Sequence, residues 1–396
     1  MSTATRDWPT KPLNEVAKID RTSVPPDKIK DGSIYVGLEN ITGEGEFDEV
    51  REVANGELAS NKFSFTPKHV LYGKLRPYLS KIARPDFSGI CSTDILPVLA
   101  GHELDRDFLF YFLRRPEMVQ FATTRSTGAN LPRLSPNELA KFPVPLPTLD
   151  EQKRIATILN KADSIRRQRH QAADTLLKLR IATFLDLFGD PETNPKNWNK
   201  LKLGDLTKLQ GGYAFKSKDY VLEGVSLVKI SNVHHEFLKW DDKDSLPCQY
   251  EEQYSEFSLR AGDVVLALTR PIIKSLDSVK VARITKQDIP CLLNQRVGRF
   301  VIKSEDQLLG SYLLHFLYSA SFKRSVEKIC SVSLQPNMST KQVENISIPV
   351  PPIELQGEFE RALREIESCQ LQSREGVKES DHLFGSLVQR AFKGKL

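Results

Sequence analysis

The sequence contains one series of motifs twice. Six segments of the first half recur in the second half in the same order, at separations that grow slowly from 190 to 204 residues. The paired segments begin at Trp8 and Trp198, Tyr35 and Leu227, Val70 and Val264, Phe108 and Tyr312, Asn130 and Leu334, and Val144 and Ile348. One or two such matches arise by chance, but six in register indicate a duplicated unit of roughly 200 residues. Because this period is far longer than that of solenoids or propellers, each copy is predicted to be a domain.

The composition is that of a globular chain. It has 396 residues, 40% of them hydrophobic and 27% charged, which is too long for one ordinary domain. No run of eighteen apolar residues occurs, and the N-terminus lacks the apolar segment of a secretory signal. The five cysteines are scattered and never spaced as C-x-x-C, which argues against a disulfide framework or a zinc ribbon and favours a reducing cytoplasm. The net charge of +5 permits an anionic partner without proving one.

The first part of each copy reads as an α+β globule. Short β-branched and aromatic runs, such as 69–75 and 263–269, alternate with Gly, Pro, Asn and Asp and predict strands joined by turns. One helix is predicted over 104–121 and repeated over 308–329. Two prolines then end the strand pattern in each copy.

A long helix is predicted after these prolines. Apolar residues recur at seven-residue intervals from Leu149 onward, and neither Pro nor Gly occurs before Gly189. One helix of about 39 residues would be roughly 58 Å long. The second copy shows a similar pattern from Ile353, with a softer region over 370–378 around Gly376.

The charges of the two long helices predict that they pair with each other. Residues 150–180 carry eight Lys/Arg and four Asp/Glu, whereas residues 354–381 carry four Lys/Arg and eight Asp/Glu. Opposite charges beside an apolar seam favour pairing, and a twofold relation of the copies makes it antiparallel. The alternative is two unrelated surface helices.

The sequence shows no complete active site. It has no phosphate-binding loop of the G-x-x-x-x-G-K-[ST] type, no H-E-x-x-H motif and no paired Cys/His cluster. The segment that begins at Asn194 and Pro195 lacks the aromatic residue with which a methyltransferase stacks a flipped base. We therefore expect no catalytic residues, no metal and no cofactor.

Several loops combine cations with small or amide residues, as DNA-contacting loops do. In the first copy, one such loop follows a strand and the other follows the predicted helix, and together they carry Lys74, Arg76, Arg125, Asn130 and Arg133. The corresponding candidates of the second copy are Gly211, Gly212, Tyr213, Lys216, Arg270, Lys274, Gln335 and Asn337.

These residue types suit DNA, since Arg and Lys contact phosphates, glycine amides approach them closely, and Asn or Gln can bond a base edge. Each feature also has an ordinary interpretation. Arg-Pro after a strand is commonly a solvated corner, Gly-Gly a hairpin or bulge, and Asn with Pro a helix stop.

The motifs resemble those of the specificity subunits of type I restriction–modification systems. The Pro-x-Pro followed by Leu-Asp-Glu-Gln-Lys-Arg-Ile over 149–155, the long helix and the segment 190–198 that opens the second copy carry this resemblance. Residues 130–135 and 335–339 are similar to the family's Pro-Asn-Leu-Ser element, and residues 384–395 to its C-terminal ending. In the first copy Arg133 stands where the family commonly has Asn, so a different contact is expected there.

The resemblance implies an α+β chain with two similar target-recognition domains, related by pseudo-twofold symmetry and separated by two long antiparallel coiled-coil helices. The expected parts are a first recognition domain (1–147), a central spacer helix (148–190), a second recognition domain (191–351) and a C-terminal spacer helix (352–396). Each recognition domain would read one half of a bipartite double-stranded DNA site, and the helices would set the spacing. Half-sites about ten base pairs apart would lie one helical turn, about 34–36 Å, apart on one side of the duplex.

The resemblance also implies that catalysis belongs to partner chains. Two modification (methyltransferase) subunits would dock on the helices, and motor-nuclease restriction subunits would join them in the cytoplasm, without a membrane. Two alternatives remain open from the residues alone: a coiled-coil adapter that does not bind DNA, and a diverged nuclease or methyltransferase.

Overall fold

The computed structural model describes residues 8–269, 279–330 and 337–396. The chain divides into two compact units. Unit 1 comprises Met1–Ala172 and Ser373–Leu396, and unit 2 comprises Ala173–Gln372. None of the helices in these described ranges is long and apolar enough to cross a membrane.

Unit 1 is a mixture of short strands and helices. Its strands are β1 (Thr10–Pro12), β2 (Ala17–Ile19), β3 (Ser23–Val24), β4 (Ser33–Val36), β5 (Arg51–Val53), β6 (Lys62–Phe65), β7 (His69–Gly73), β8 (Ile82–Ala83), β9 (Gly89–Cys91), β10 (Ile95–Ala100) and β11 (Pro143–Pro145). Its helices are α1 (Leu13–Val16), α2 (Arg106–Leu113), α3 (Pro116–Thr124), α4 (Pro136–Ala140) and the first part of α5 (Leu149–Phe188).

The strands of unit 1 form three sheets. β1 pairs with β11, a second sheet has the order β2-β10-β7-β8, and a third has the order β3-β6-β9-β4-β5. All these pairings are antiparallel except β4 with β9, in which Tyr35 lies opposite Ile90 and Val36 opposite Cys91. Between β4 and β9 the chain forms β7 and β8 of the second sheet. Helices beside mainly antiparallel sheets make the globule α+β, as predicted.

Unit 2 is built from corresponding elements. Its strands are β12 (Asn199–Lys202), β13 (Thr207–Gly211), β14 (Val225–Val228), β15 (Ser245–Leu246), β16 (Val264–Ala267), β17 (Val281–Arg283), β18 (Cys291–Leu293), β19 (Val297–Ile302) and β20 (Ser347–Val350). Its helices are α6 (Leu203–Leu206), α7 (Tyr250–Gln253), α8 (Gly310–Tyr318), α9 (Ala320–Cys330), α10 (Thr340–Glu344) and the first part of α11 (Ile353–Phe392).

The strand order of unit 2 repeats that of unit 1 except in the third sheet, where no strand of the described ranges corresponds to β3 or β6. β12 pairs with β20, and β13-β19-β16-β17 corresponds to β2-β10-β7-β8. β14 pairs in parallel with β18 and antiparallel with β15, as β4 does with β9 and β5. The internal duplication read from the sequence is therefore present as a repeated topology.

The prediction of a single helix over 104–121, repeated over 308–329, was wrong, since the structure has two helices in each place. In unit 1, Arg115 is extended (φ −60°, ψ 138°) and Pro116 starts α3 without a backbone N–H. In unit 2, the extended Ser319 separates α8 from α9, and its hydroxyl accepts a hydrogen bond from the Phe322 amide. The break lets both helices of each pair bury apolar side chains in the same core.

The second long helix is continuous, contrary to the prediction of a softer region around Gly376. α11 runs unbroken from Ile353 to Phe392. Gly376 is buried, and a Cβ atom built on it would lie 2.1 Å from the Nη1 atom of Arg169 in α5. This glycine therefore permits close packing of the two helices in unit 1.

Within each unit, the segments of α5 and α11 run in opposite directions. In unit 1, Arg154 bonds the carbonyl of Leu396 (3.0 Å), and His170 contacts Asp381 (3.0 Å). In unit 2, Gln370 bonds the carbonyl of Leu176 (3.2 Å).

Both helices contribute to the core of each unit, for example through Ile155 and Phe392 in unit 1 and through Phe184 and Phe359 in unit 2. The predicted heptad seam is only partly buried, because Ile165 and Leu179 are 44% and 45% exposed.

Candidate nucleic-acid interface

Two loops of unit 1 that are distant in sequence are joined by backbone hydrogen bonds. The chain leaving β7 pairs with the chain that enters α4, because the Leu134 amide donates to the Lys74 carbonyl (2.9 Å) and Leu75 forms a β-bridge with Arg133. Arg133 also exchanges two hydrogen bonds with Thr127 (2.9 and 3.0 Å). The structure therefore brings the Lys74–Arg76 loop and the 125–133 loop together, as a common site requires.

Arg76 is held in an uncommon backbone conformation. It lies in the left-handed region (φ 50°, ψ 61°) and precedes the short 3₁₀ turn Pro77–Leu79. Its amide donates to the Pro132 carbonyl (2.8 Å), and its side chain is exposed. Such a conformation is costly for a residue with a side chain and occurs frequently at functional sites.

Arg125 and Asn130 lie in the same segment but differ in their surroundings. The Arg125 guanidinium lies 3.4 Å from the centre of the Phe121 ring, and its Nη1 donates to the Phe121 carbonyl (3.3 Å). Gly128 (φ 107°) allows the loop to turn, and Asn130 beyond it is exposed. Asn130 is thus accessible, whereas Arg125 rests on its own helix.

Asp94, which the sequence reasoning missed, lies among the cations of unit 1. Its Oδ1 is 3.2 Å from Nε of Arg133, and its Oδ2 is 3.5 Å from Nη2 of Arg133. The Lys74 ammonium lies 3.7 Å from the same carboxylate. An acidic residue carries no sequence signal for contact with DNA, and only the fold places Asp94 beside Lys74 and Arg133.

Unit 2 repeats the backbone arrangement with different side chains. Thr269 forms a β-bridge with Asn337, and the Met338 amide donates to the Leu268 carbonyl (2.8 Å). Asn337 is exposed and therefore occupies the position that Arg133 has in unit 1. Three further predicted residues, Arg270, Lys274 and Gln335, lie outside the described residues.

The glycine pair of unit 2 lies at the end of β13. Gly211 is part of the strand and lies opposite Gly298, and the Gly212 amide donates to the Val297 carbonyl (3.2 Å). A Cβ atom on Gly212 would lie 2.3 Å from the Leu293 carbonyl oxygen, so close backbone packing requires glycine there. The Gly212 amide is thus used within the sheet.

Tyr213 and Lys216 follow the glycines at the surface. Tyr213 is 41% exposed and packs on Phe215, Tyr254 and Phe257 at ring-centre distances of 5.0, 4.7 and 5.6 Å. Lys216 is exposed at the start of a 3₁₀ turn. A partly exposed aromatic residue beside a cation is suited to stacking and phosphate contact.

The cysteines and the acidic and histidine side chains of the described ranges bear on whether the chain is an enzyme. No group of three or more His, Cys, Asp or Glu there could hold a metal ion. Burial raises the pKa of the Cys91 and Cys291 thiols to about 12, so both are neutral and unreactive near pH 7.

Two segments of the chain, 5–174 and 195–379, each match the model of the family described as "Type I restriction modification DNA specificity domain". The chain belongs to this family. The two matched segments of the DNA specificity family correspond to the two copies read from the sequence, and the family predicted from the resemblance is confirmed.

Relatives in this family are specificity subunits. The chain is 31% identical over 293 residues to the type I restriction enzyme MjaVIII specificity subunit of Methanocaldococcus jannaschii, covering 71% of this chain and 68% of that protein. It is 34% identical over 158 residues to the EcoAI specificity subunit of Escherichia coli, covering 40% of this chain and 26% of that protein.

Solved structures show the same fold. The S subunit of a type I restriction–modification system from M. genitalium aligns with a TM-score of 0.61 at 13% identity, covering 99% of this chain and 98% of that chain. A chain from a study of complex assembly and conformational transition of the type I R-M system aligns with a TM-score of 0.57 at 20% identity over the whole of both chains.

Proposed function

We propose that this chain is the DNA sequence-specificity subunit of a type I restriction–modification complex and has no catalytic site of its own. It binds double-stranded DNA in the cytoplasm and directs partner subunits to their sites. The observation that carries this proposal is the repeated loop pairing, in which the Leu75–Arg133 bridge of unit 1 recurs as Thr269–Asn337 in unit 2. A DNA site in two halves calls for two such surfaces in one chain.

Each unit contributes one recognition domain in this proposal. Residues 1–147 read one half-site and residues 191–351 read the other, while 148–190 and 352–396 are the spacer helices. The shared strand order supports a pseudo-twofold relation between the two domains, since a twofold axis is the commonest symmetry between two like units.

Contacts to DNA are assigned to the predicted loops. Lys74, Arg76 and Arg125 of unit 1 supply phosphate contacts, because they are cations at or near the surface of joined loops. Asn130 and Arg133 of unit 1 and Asn337 of unit 2 are exposed and can bond base edges, the asparagines as donors and acceptors and the arginine as a donor. The remaining candidates are Gly211, Gly212, Tyr213, Lys216, Arg270, Lys274 and Gln335.

The two long helices fix the half-site spacing and dock two modification subunits, which restriction subunits then join. Antiparallel packing of α5 and α11 segments within each unit supports the role of a spacer. Support for docking comes from apolar side chains that the helices leave exposed. These are Leu149, Ile165, Leu177, Leu179, Ile181, Leu185, Leu371 and Leu383. Exposed apolar residues on a helix favour a protein partner.

The proposal is tested by expressing the chain with its modification and restriction subunits in a host and sequencing the methylated sites. A split site with two defined halves and an unspecified spacer is expected. One continuous site, or no sequence preference, would contradict the proposal. The purified chain alone, given magnesium or S-adenosylmethionine with DNA, should show no turnover, and turnover abolished by one point mutation would reveal an enzyme.

A further inference from the structure

The Asp94–Arg133 pair has the geometry of a held arginine. The carboxylate faces the side of the guanidinium that carries Nε and Nη2, at 3.2 and 3.5 Å. The backbone of Arg133 is fixed by two hydrogen bonds to Thr127 and by its bridge to Leu75. Arg133 is therefore restrained at its backbone by Thr127 and Leu75 and at its guanidinium by Asp94.

This contact leaves one edge of the guanidinium unused by Asp94. Arginine has five N–H donors, of which Asp94 faces those on Nε and one side of Nη2. The other edge of the guanidinium, formed by Nη1 and the outer N–H of Nη2, can still donate two parallel hydrogen bonds. Two parallel donors match the O6 and N7 acceptors of guanine in the major groove. The Arg133 side chain is 44% exposed, so a base edge can approach it.

Stability alone does not account for the pair. The side chains of Arg133 and Asp94 are 44% and 26% exposed, and ion pairs at the surface typically contribute little to folding. Asp94 also lies 3.7 Å from Lys74, so the carboxylate lowers the positive charge of the surface that would attract phosphates. Asp94 thus weakens non-specific attraction to DNA while it holds Arg133, which is what a residue that helps to select a base would do.

Unit 2 has other side chains on the same backbone. The Lys74 amide donates to the Asp94 carbonyl (2.9 Å), and the Leu268 amide donates to the Arg296 carbonyl (2.9 Å), so Arg296 corresponds to Asp94. Asn337 corresponds to Arg133. The backbone arrangement is the same in both units, but Arg296 and Asn337 of unit 2 replace the Asp94–Arg133 pair of unit 1. Different side chains on the same backbone arrangement are expected where two domains read different bases.

We propose that Arg133, held in place by Asp94, reads a guanine in the half-site of unit 1. Asp94 is the positioning residue of this contact. The inference rests on the proposed function. It assigns guanine to Arg133, which is one of the predicted DNA-contacting residues, and adds Asp94 to that contact.

The test compares Asp94→Ala, Asp94→Asn and Arg133→Ala in the complete complex. Methylated sites are sequenced, and binding is measured on DNA duplexes in which each base pair of the wild-type half-site is changed in turn. Arg133→Ala should reduce discrimination at one G·C pair by on the order of ten- to a hundred-fold. Asp94→Ala should reduce it at the same pair, whereas Asp94→Asn, which keeps one acceptor, should reduce it less.

Two further readouts separate positioning from a structural role. Binding of Asp94→Ala to non-specific DNA should be unchanged or tighter, because a negative charge has left the surface. The double variant Asp94→Ala/Arg133→Ala should discriminate no worse than Arg133→Ala, because both changes remove the same contact. Glu103→Gln is the matched control, since Glu103 pairs with Lys11 (2.7 Å) in the same unit, and it should leave the site unchanged.

The outcomes separate this inference from the function on which it rests. If the wild-type complex shows no split site, the proposed function fails. The positioning inference alone is wrong if the wild-type site is split but Asp94→Ala leaves the preference at every G·C pair unchanged. It is also wrong if neither half-site contains a G·C pair that responds to Arg133→Ala. Equal loss of all DNA binding in Asp94→Ala would also overturn it.

Discussion

Gln152 and Gln356 stand at equivalent places in the two units, and each makes the same three hydrogen bonds. Gln152 donates to the carbonyls of Glu103 and Pro147 (2.9 Å each) and accepts from the Asp105 amide (2.8 Å). Gln356 does the same with Gln307, Pro351 and Leu309 at 3.0, 2.9 and 2.9 Å. Both side chains are fully buried. Each glutamine therefore ties the start of a long helix to the globule that precedes it.

Replacing either glutamine should loosen only its own unit. Gln152→Ala removes the partner of one buried and two partly buried backbone groups, which should cost about 2 kcal/mol in the stability of unit 1. Hydrogen exchange should then speed up at the Asp105 amide and not at Leu309, and Gln356→Ala should show the reverse. The two variants serve as controls for each other. Equal loss of protection in both units from one substitution would contradict the local role.

The stability of unit 2 should depend on pH through His315. This ring is buried among Phe184, Phe359 and Tyr318, and its Nε2 has no hydrogen-bond partner among the residues that the structure describes. Desolvation lowers the pKa of His315 to about 4. As the pH is lowered, His315 takes up its proton near pH 6.5 in the unfolded chain but only near pH 4 in the folded chain. The free energy of unfolding of unit 2 therefore decreases as the pH falls from 6.5 to about 4, and His315 does not change it at higher pH. The loss should reach about 3 kcal/mol.

Urea unfolding followed by tryptophan fluorescence measures this dependence. In a Trp8→Phe background, the remaining tryptophans, Trp198 and Trp240, both report on unit 2. His315→Phe should remove the difference in stability between pH 7 and pH 4.5 that His315 causes. An unchanged difference in that variant would show that other groups produce it.

Binding of the complex to DNA should weaken with salt in proportion to the phosphates contacted. If Arg76 and Lys216 each contact one phosphate, substitution by alanine should flatten the plot of log affinity against log salt by about one unit. Lys11→Ala, which removes a cation paired with Glu103, is the control and should leave the slope unchanged. Binding that does not depend on salt would favour an adapter without DNA contacts.

The length of the spacer helices should set the spacing of the DNA half-sites. Inserting four residues near Ala173, about one helical turn, should lengthen the tolerated spacer between the half-sites without changing either half. The methylated sites of the variant complex give the answer directly. A spacer of unchanged length would eliminate the role of the helices in spacing.

The sequence was informative where local patterns determine structure. The duplication, the long helices and the α+β character follow from repeats, periodicity and turn residues. The break before Pro116 is an exception, because the apolar pattern continues across a proline that cannot continue a helix without losing a hydrogen bond.

Features that depend on tertiary approach were not predictable. Gly376 was interpreted as a soft point in α11, yet it is the place where Arg169 packs closely against the helix. Asp94 belongs to the candidate site only because β-bridges bring its loop to Arg133, which lies 39 residues away in sequence. Such contacts are set by the fold of the whole unit, and no local motif records them.

The central claim is that each recognition domain reads its half-site independently, and exchange of one domain tests it most directly. Residues 1–147 are replaced by the corresponding domain of another member of the family, and the methylated sites of the complete complex are sequenced. One half-site should change while the other half-site and the spacer stay as they were. A change in both halves together would contradict it.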